Sequence, residues 1–206
     1  MNKVVKGLLI GAISIFVLTG CTFGPKPTDT VSKFLKDVQK SDLKGASTLV
    51  QHSKDDVLNS FTDSKDSKDA IDANTLFKAI TKGYTFEKPT LVSQNGDTAK
   101  VKVKITSVDV ATAMGKAMEA SFKNAFANAF SEDQKQADKD NQAFMEKEFL
   151  KNLNAKDAKM STRTETLSLK KDKHGDWKLV SDKALENTVE ANASKLDQLS
   201  QTQQPN

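Results

Sequence analysis

Residues 91–105 read LVSQNGDTAKVKVKI, and this stretch predicts two strands joined by a tight turn. The sequence Asn95-Gly96-Asp97 supplies the turn signal that is typical of a tight β-hairpin. After the turn, apolar residues alternate with lysines, which is the period of a strand with one buried face and one solvated face. The apolar positions are Val101, Val103 and Ile105, and the lysines are Lys100, Lys102 and Lys104.

A second hairpin is predicted nearer the C-terminus. Strand-forming residues occur over 164–169, and His174-Gly175-Asp176 supplies a turn before Trp177 and Leu179. Alternation places Trp177 on the same face as Leu179, so we expect the indole to pack in the core. The two hairpins together predict an antiparallel sheet.

Helical periodicity precedes the first hairpin. Apolar residues at i, i+3, i+4 and i+7 predict an amphipathic helix over 30–40, with Thr28 or Asp29 as its N-cap. Shorter helices are predicted over 42–49 and around 76–80, and the second of these ends before Gly83.

Two less regular segments complete the pattern. Residues 54–72 are rich in Ser, Asp and Lys, which indicates a surface loop with a helical turn near 57–61. After the second hairpin, four apolar residues indicate a C-terminal helix: Leu185, Val189, Leu196 and Leu199. Residues 200–206 are expected to be a disordered tail.

A helical insertion is predicted between the hairpins, over about 108–155. Large apolar residues recur there every four positions, which is the spacing of one helix face. A second apolar face follows at Phe144, Phe149, Leu150 and Leu153, after a polar turn or helix continuation over 133–141. The first series, which we call the apolar stripe, consists of Met114, Met118, Phe122, Phe126 and Phe130.

The apolar stripe has three interpretations. We expect it to face the core, where each side chain would contribute roughly 1.5–3 kcal/mol of burial free energy. A ligand, partner or self-association surface is the second interpretation, and a helix lying on a membrane is the third. The mixed charges of Lys116, Glu119 and Lys123 weaken the membrane interpretation, because such helices usually carry a basic row.

The N-terminus has the pattern of an export signal. Lys3 and Lys6 precede an uncharged stretch over 7–20 that is too short to span a bilayer. The sequence Leu18-Thr19-Gly20-Cys21 resembles the bacterial lipobox. The resemblance implies cleavage between Gly20 and Cys21 and attachment of diacylglycerol to the cysteine.

The lipobox resemblance also predicts the location of the mature chain. Two acyl chains anchor a protein stably to a bilayer, so we expect a protein held through Cys21 on the extracytoplasmic face of the cell membrane. Cys21 is the single cysteine, so the exported domain would have neither a disulfide nor a free thiol. The predicted organisation is a signal peptide over 1–20, the lipidated cysteine and tether over 21–29, and one α+β domain over 30–199.

The charge balance argues against nucleic-acid binding. Removal of the predicted signal, which holds two lysines and no acid, lowers the formal net charge from +4 to +2. Arg163 is the sole arginine, and lysines alternate with acidic residues along the chain. This pattern indicates a solvated surface of mixed charge rather than a basic stripe.

The order of motifs resembles a known family. Thr30-Val31-Ser32-Lys33-Phe34-Leu35, Lys40-Ser41-Asp42-Leu43-Lys44-Gly45-Ala46 and Gly175-Asp176-Trp177-Lys178-Leu179 are similar to phrases in small Gram-positive lipoproteins. Those proteins carry a domain of unknown function with a fold like that of nuclear transport factor 2, also called cystatin-like. The resemblance covers about residues 28–182. It implies an α+β cone, in which a curved antiparallel sheet packs with N-terminal helices and can enclose a pocket.

The polar residues do not form a familiar catalytic pattern. His52 and His174 lie in polar contexts typical of solvated side chains, and Tyr84 fits a core position with its hydroxyl satisfied. The carboxylates over 63–69 lack the glycine and glutamate of an EF-hand loop. The sequence therefore predicts no metal and no cofactor.

We therefore expect a non-catalytic lipoprotein that binds a small apolar or peptide ligand, or an envelope protein. One alternative is an envelope hydrolase or isomerase that uses an acidic residue in the cone pocket. The other is a structural, self-associating lipoprotein. The rival enzyme would require a buried acid or histidine with a perturbed pKa on the concave face.

Overall fold

The computed structural model describes residues 25–51, 71–127 and 134–193. Several predicted features lie outside these residues, so their predictions stay untested. They are the signal peptide, Cys21, His52, the loop turn near 57–61, the carboxylates over 63–69, Phe130, Leu196, Leu199 and the tail over 200–206.

An antiparallel sheet forms the centre of the fold, as the two hairpin patterns predicted. Its strand order is β1-β3-β4-β5, and β2 also pairs with β3. The long strands β3 and β4 pair in continuous register from Thr98 opposite Lys170 to Val108 opposite Met160. The strands are β1 (Thr85–Phe86), β2 (Thr90–Asn95), β3 (Thr98–Val108), β4 (Met160–Lys171) and β5 (Trp177–Leu179).

Six helices are described, and they lie around this sheet. The insertion between β3 and β4 is a pair of long helices, which we call the helical hairpin. The helices are α1 (Pro27–Gln39), α2 (Leu43–Ser47), α3 (Ala73–Thr81), α4 (Val110–Ala127), α5 (Gln134–Asn154) and α6 (Lys183–Val189), of which α4 and α5 form the hairpin. The fold is therefore α+β, with a helical insertion between the hairpins.

Glycines in the turns explain where the strands end, and capping side chains explain where the short helices begin. Gly96 and Gly175 take positive φ values of 56° and 85° in the two predicted turns, a conformation that costs glycine little. The Asp42 and Asp72 side chains accept backbone N–H bonds at the starts of α2 and α3. Such N-caps satisfy donors that the first turn of a helix leaves unpaired.

The main core lies between α1 and the inner face of the sheet. Val31, Phe34, Leu35 and Val38 of α1 are fully buried, as their spacing predicted. They pack with the inward side chains of β3 and with Trp177, whose predicted core position is confirmed. Exposed and buried residues alternate along β3 from Thr98 to Ile105.

Helix α1 runs along the sheet from one end to the other. Its first turns lie beside Trp177, which pairs with Lys171 at the end of β4. Its last residue, Gln39, donates a 2.8 Å side-chain hydrogen bond to the carbonyl of Tyr84, directly before β1. The described N-terminus therefore lies at the Thr98–Lys170 end of the sheet.

Two predicted helix boundaries were wrong, the start of α1 and the end of α6. Helix α1 begins at Pro27, whereas residue 30 was predicted, because proline suits the first helical position. Its N-cap is Lys26 and not the predicted Thr28 or Asp29. The predicted tether over 21–29 therefore overlaps the helix. Residues 134–141 are helical, which is one of the two alternatives predicted for 133–141. Helix α6 ends at Val189, because Ala191 and Asn192 take positive φ values that reverse the chain.

Candidate functional site

Helix α4 has an inner face of small residues that packs on α5. Ala113, Ala117 and Ser121 are buried on this face. Ala113 and Ala117 belong to a second core, which includes Phe149 and Leu153 of α5. Small side chains let two helix axes approach closely, so these residues make the contact inside the helical hairpin.

The large residues of the apolar stripe lie on another face of α4. Met118, Phe122 and Phe126 are 40%, 70% and 80% exposed. The prediction that they form core was therefore wrong. Successive residues of a helix are about 100° apart, so Met118 and Phe122 point roughly a quarter turn away from the buried Ala117–Ser121 row.

The base of the helical hairpin, where α4 and α5 join the sheet, is more buried than the part farther along α4. Met114 is partly buried and packs on the second core, in agreement with the expected core position. Leu153 and Phe149, near the end of α5, are buried at the same base. The apolar stripe therefore starts in the core at Met114 and becomes exposed from Met118 onward.

A charged edge and an open glycine border the exposed residues. Lys123 and Glu119 form a 2.7 Å ion pair along the helix. Gly115 is exposed, and a Cβ atom placed on it would meet nothing within 4 Å. We call Gly115, Met118, Phe122, Ala125 and Phe126 the outer face of α4.

The outer face of α4 belongs to a hairpin that leaves the sheet at the end opposite the described N-terminus. Helix α4 follows β3 at Val108, whereas the start of α1 lies beside Trp177 at the other end. The two ends of β3 are roughly 33 Å apart for a strand of this length. A predicted tether from Cys21 to Pro27 spans at most about 20 Å when fully extended.

A polar cluster occupies the inner face of the sheet near α6. Arg163 donates three hydrogen bonds: to the carbonyl oxygens of Asn187 (2.7 Å) and Thr188 (3.1 Å), and to the hydroxyl of Ser107 (2.8 Å). A cation at a helix C-terminus is favoured by the helix dipole. Arg163 therefore joins β4 to the end of α6, and its inward position in β4 was the sequence signal that could have indicated this role.

Burial perturbs the titratable groups around Arg163. It raises the pKa of the Tyr84 hydroxyl, which donates to the carbonyl of Thr188 at 3.3 Å, and it lowers the pKa of Arg163 itself. The pKa of Glu165 is also raised, chiefly by burial, although the nearby Arg163 charge opposes this rise. Glu165 is half-buried and hydrogen-bonds the Asn187 side chain.

Shallow grooves also lie on the part of the surface that the structure describes, and two of them are near the sheet. One, of about 240 Å³, is lined by residues of β1, β3 and β4, among them Lys104 and Thr162, and by Glu87, which follows β1. The other, of about 280 Å³, lies between the start of α1 and β5, next to Trp177. The Lys171 ammonium lies 5.2 Å from the centre of the Trp177 ring on that side of the sheet.

The part of the chain that the structure describes contains no group of three or more His, Cys, Asp or Glu side chains placed to hold a metal ion. His174 is exposed in its turn, as expected. Within the same described residues, no helix is both long enough and apolar enough to cross a membrane.

Comparison with known proteins found little similarity. No protein-family model and no curated protein matches the chain. The chain is similar to one solved structure, a candidate lipoprotein, ycdA, from Bacillus subtilis subsp. subtilis str. 168, with 19% sequence identity and a TM-score of 0.42. The match covers 78% of this chain and 45% of that one, so the chain spans less than half the length of that structure.

Proposed function

We propose that this chain is a lipid-anchored, extracytoplasmic binding protein that contacts an envelope protein through the outer face of α4. The exposure of Phe122 and Phe126 is the observation that carries the proposal. Neighbouring large apolar side chains exposed on one face of a helix are typical of interaction sites. The lipobox-like sequence ending in Cys21 supports the anchor.

The position of the helical hairpin favours a protein over the bilayer as the partner. Helix α1, which follows the predicted tether in sequence, starts at one end of the sheet, and the hairpin leaves from the other. An anchored domain would therefore hold the hairpin base roughly 33 Å from the end that carries its lipid. The Glu119–Lys123 ion pair at the edge of the outer face also differs from the basic row of a membrane-surface helix.

The packing of the inner sheet face favours the outer face of α4 over an interior pocket. Val101, Val103 and Ile105 are buried against α1, and Leu167 and Leu169 of β4 are buried beside them. A small apolar ligand would need to displace this packing. We therefore place the binding role on the surface of the helical hairpin rather than inside the cone.

The absence of catalysis is part of the proposal. Glu165 is an acid with a raised pKa on the inner face, which is the kind of group that an enzyme of this fold would need. Its neighbours Arg163 and Asn187 join β4 to α6, which favours a structural role for the cluster.

We also propose that the domain is a divergent member of the class that resembles nuclear transport factor 2. An N-terminal helix packed on an antiparallel sheet supports this assignment. The α4–α5 insertion and the two-residue strand β1 are departures from the simplest cone. An experimental structure in which the sheet does not curve around α1 would contradict the assignment.

Site-specific photo-crosslinking tests the proposed surface. A benzophenone amino acid would replace Phe122 in the full-length lipidated protein, with a matched probe at Val92, which is 54% exposed on β2. We expect discrete protein adducts from position 122 and none from position 92. Adducts with lipid alone, or no adduct at 122, would overturn the proposal.

A further inference from the structure

We propose that the partner of the outer face of α4 is α4 of a second copy of this chain, packed antiparallel to it. This inference rests on the proposed binding role of the outer face. It names the partner that the residues on that face fit best.

Helix α4 is apolar over a wider arc than one neighbour covers. Helix α5 packs on the face of α4 that carries Ala113 and Ala117, and Ser121 is buried on the same face. The outer face adds Met118 and Phe122, so the apolar arc extends well beyond the α5 contact. A helix that is apolar over so much of its circumference is usually packed between two neighbours. Among the described residues, α5 is the helix that packs along α4, and the Val110 N–H at the start of α4 also donates to the Ala191 carbonyl.

The charges at the edge of the outer face are self-complementary in an antiparallel pair. Glu119 and Lys123 lie two positions on either side of Ser121. In an antiparallel pair centred at the level of Ser121, Glu119 of each copy therefore lies opposite Lys123 of the other. A two-fold interface repeats this contact twice, so ion pairs now formed within each helix gain partners across the interface. A parallel pair would not bring the two charged edges together.

Side-chain sizes fit the same arrangement. In that register Phe126 of one copy lies at the level of Gly115 and Lys116 of the other. The open space above Gly115 can receive an aromatic ring, since a Cβ atom placed there would meet nothing within 4 Å apart from the adjoining residues and backbone of its own helix. The two helical hairpins would then form an arrangement of four helices, in which each α4 contacts α5 of its own chain and α4 of the partner.

The exposed area predicts a weak association. Met118, Phe122 and Phe126 together present roughly 400 Å² of side-chain surface per copy, given their exposed fractions and usual side-chain areas. Each partner in a standard interface buries about 800 Å². We therefore expect a concentration-dependent dimer rather than a permanent one.

Sedimentation velocity with charge-reversal variants tests the pairing. The chain from Thr22 to Asn206 retains every described contact and lacks only the predicted leader and lipidated cysteine. We expect the unmodified chain to form a dimer as its concentration rises. Glu119→Lys alone and Lys123→Glu alone should each weaken the dimer about tenfold or more, because like charges then face each other across the interface.

Mixing the two variants distinguishes a charge contact between two chains from the loss of the Glu119–Lys123 ion pair within one helix. An equimolar mixture of Glu119→Lys and Lys123→Glu should form a mixed dimer with near-parent affinity, since opposite charges face each other again. Neither variant regains its own internal ion pair in the mixture. A mixture that stays as weak as its components would overturn the antiparallel register.

Loss of the apolar contact provides the second measurement. Phe122→Asp and Phe126→Asp should each reduce dimerisation about tenfold or more, whereas the matched Val92→Asp variant should dimerise like the parent. Circular dichroism confirms that each variant is folded. A chain that is monomeric at every concentration would overturn the second copy as the partner. If position 122 still crosslinks to a different protein, the proposed function stands, and if it does not, both proposals fail.

Discussion

Arg163 is the sole arginine of the chain. Its guanidinium donates hydrogen bonds to two carbonyl oxygens of α6 and to the Ser107 hydroxyl of β3. Arg163→Met should lower the free energy of unfolding by about 2–4 kcal/mol, because the Asn187 carbonyl and the Ser107 hydroxyl lose the guanidinium as a donor, while the Thr188 carbonyl keeps the Tyr84 hydroxyl. Arg163→Lys should be intermediate, since an ammonium lacks the planar fork that reaches several acceptors. Urea unfolding measures both. A loss below about 1 kcal/mol for the methionine variant would contradict this role.

Asp109 is the other residue whose charge affects stability in a predictable way. Its carboxylate accepts a 2.8 Å hydrogen bond from the Thr112 backbone N–H at the start of α4. Burial of the carboxylate raises the pKa of Asp109, but this bond, the Asn192 and Thr112 side chains and the Lys159 charge together lower it below its usual range. The folded state therefore favours the ionised form.

The pH dependence of this stabilisation follows from that sign. A carboxyl with a lowered folded-state pKa stabilises the protein at neutral pH, and the contribution disappears as the pH falls through the folded-state pKa, below about pH 4. Asp109→Ala should lower the free energy of unfolding by about 1 kcal/mol at pH 7, and by less at pH 3. Unfolding curves at the two pH values measure the difference. An equal loss at both would show that the charge of Asp109 is unimportant.

At the scale of the element, the helical hairpin has two faces that should respond oppositely to the same substitution. Phe149 of α5 is buried in the second core, so Phe149→Asp should lower the free energy of unfolding by more than about 3 kcal/mol. Phe122→Asp places the same charge on the exposed side of α4, where a change within about 0.5 kcal/mol is expected.

Thermal unfolding followed by circular dichroism measures both variants on dilute, monomeric protein. Dilution matters because dimerisation would add its own contribution to the stability of the parent. A Phe122→Asp variant as unstable as Phe149→Asp would show that Phe122 is enclosed in solution. That result would also remove the basis for the proposed surface.

At the scale of the whole molecule, the proposed anchor determines which end of the domain faces the bilayer. Cys21→Ala should abolish acyl labelling and either release the protein from membranes or leave its precursor uncleaved. Metabolic labelling with a radioactive fatty acid, followed by membrane fractionation, measures both properties. A variant still labelled and membrane-bound to the parent's extent would contradict anchoring through Cys21.

The sequence alone determined those parts of the fold that depend on local pattern. Alternation of Val101, Val103 and Ile105 with lysines identified the strand β3 and its buried face. Side chains of a strand point to opposite faces in turn, so only one face can hold all three apolar residues. The spacing of Val31, Phe34, Leu35 and Val38 identified α1 in the same way. Gly96 and Gly175 marked the turns, since few other residues accept a positive φ there.

Only the tertiary structure decided which face of α4 is buried. Periodicity showed that the helix has many apolar positions, but it did not show how many neighbours cover them. The tightly packed neighbour α5 selects the small Ala113–Ala117–Ser121 row, because small side chains allow close helix packing, and it leaves Met118, Phe122 and Phe126 exposed. The Arg163 hydrogen bonds could not be predicted from the sequence either. Their acceptors on β3 and α6 lie 24 to 56 positions away in the chain and meet Arg163 only in the folded state.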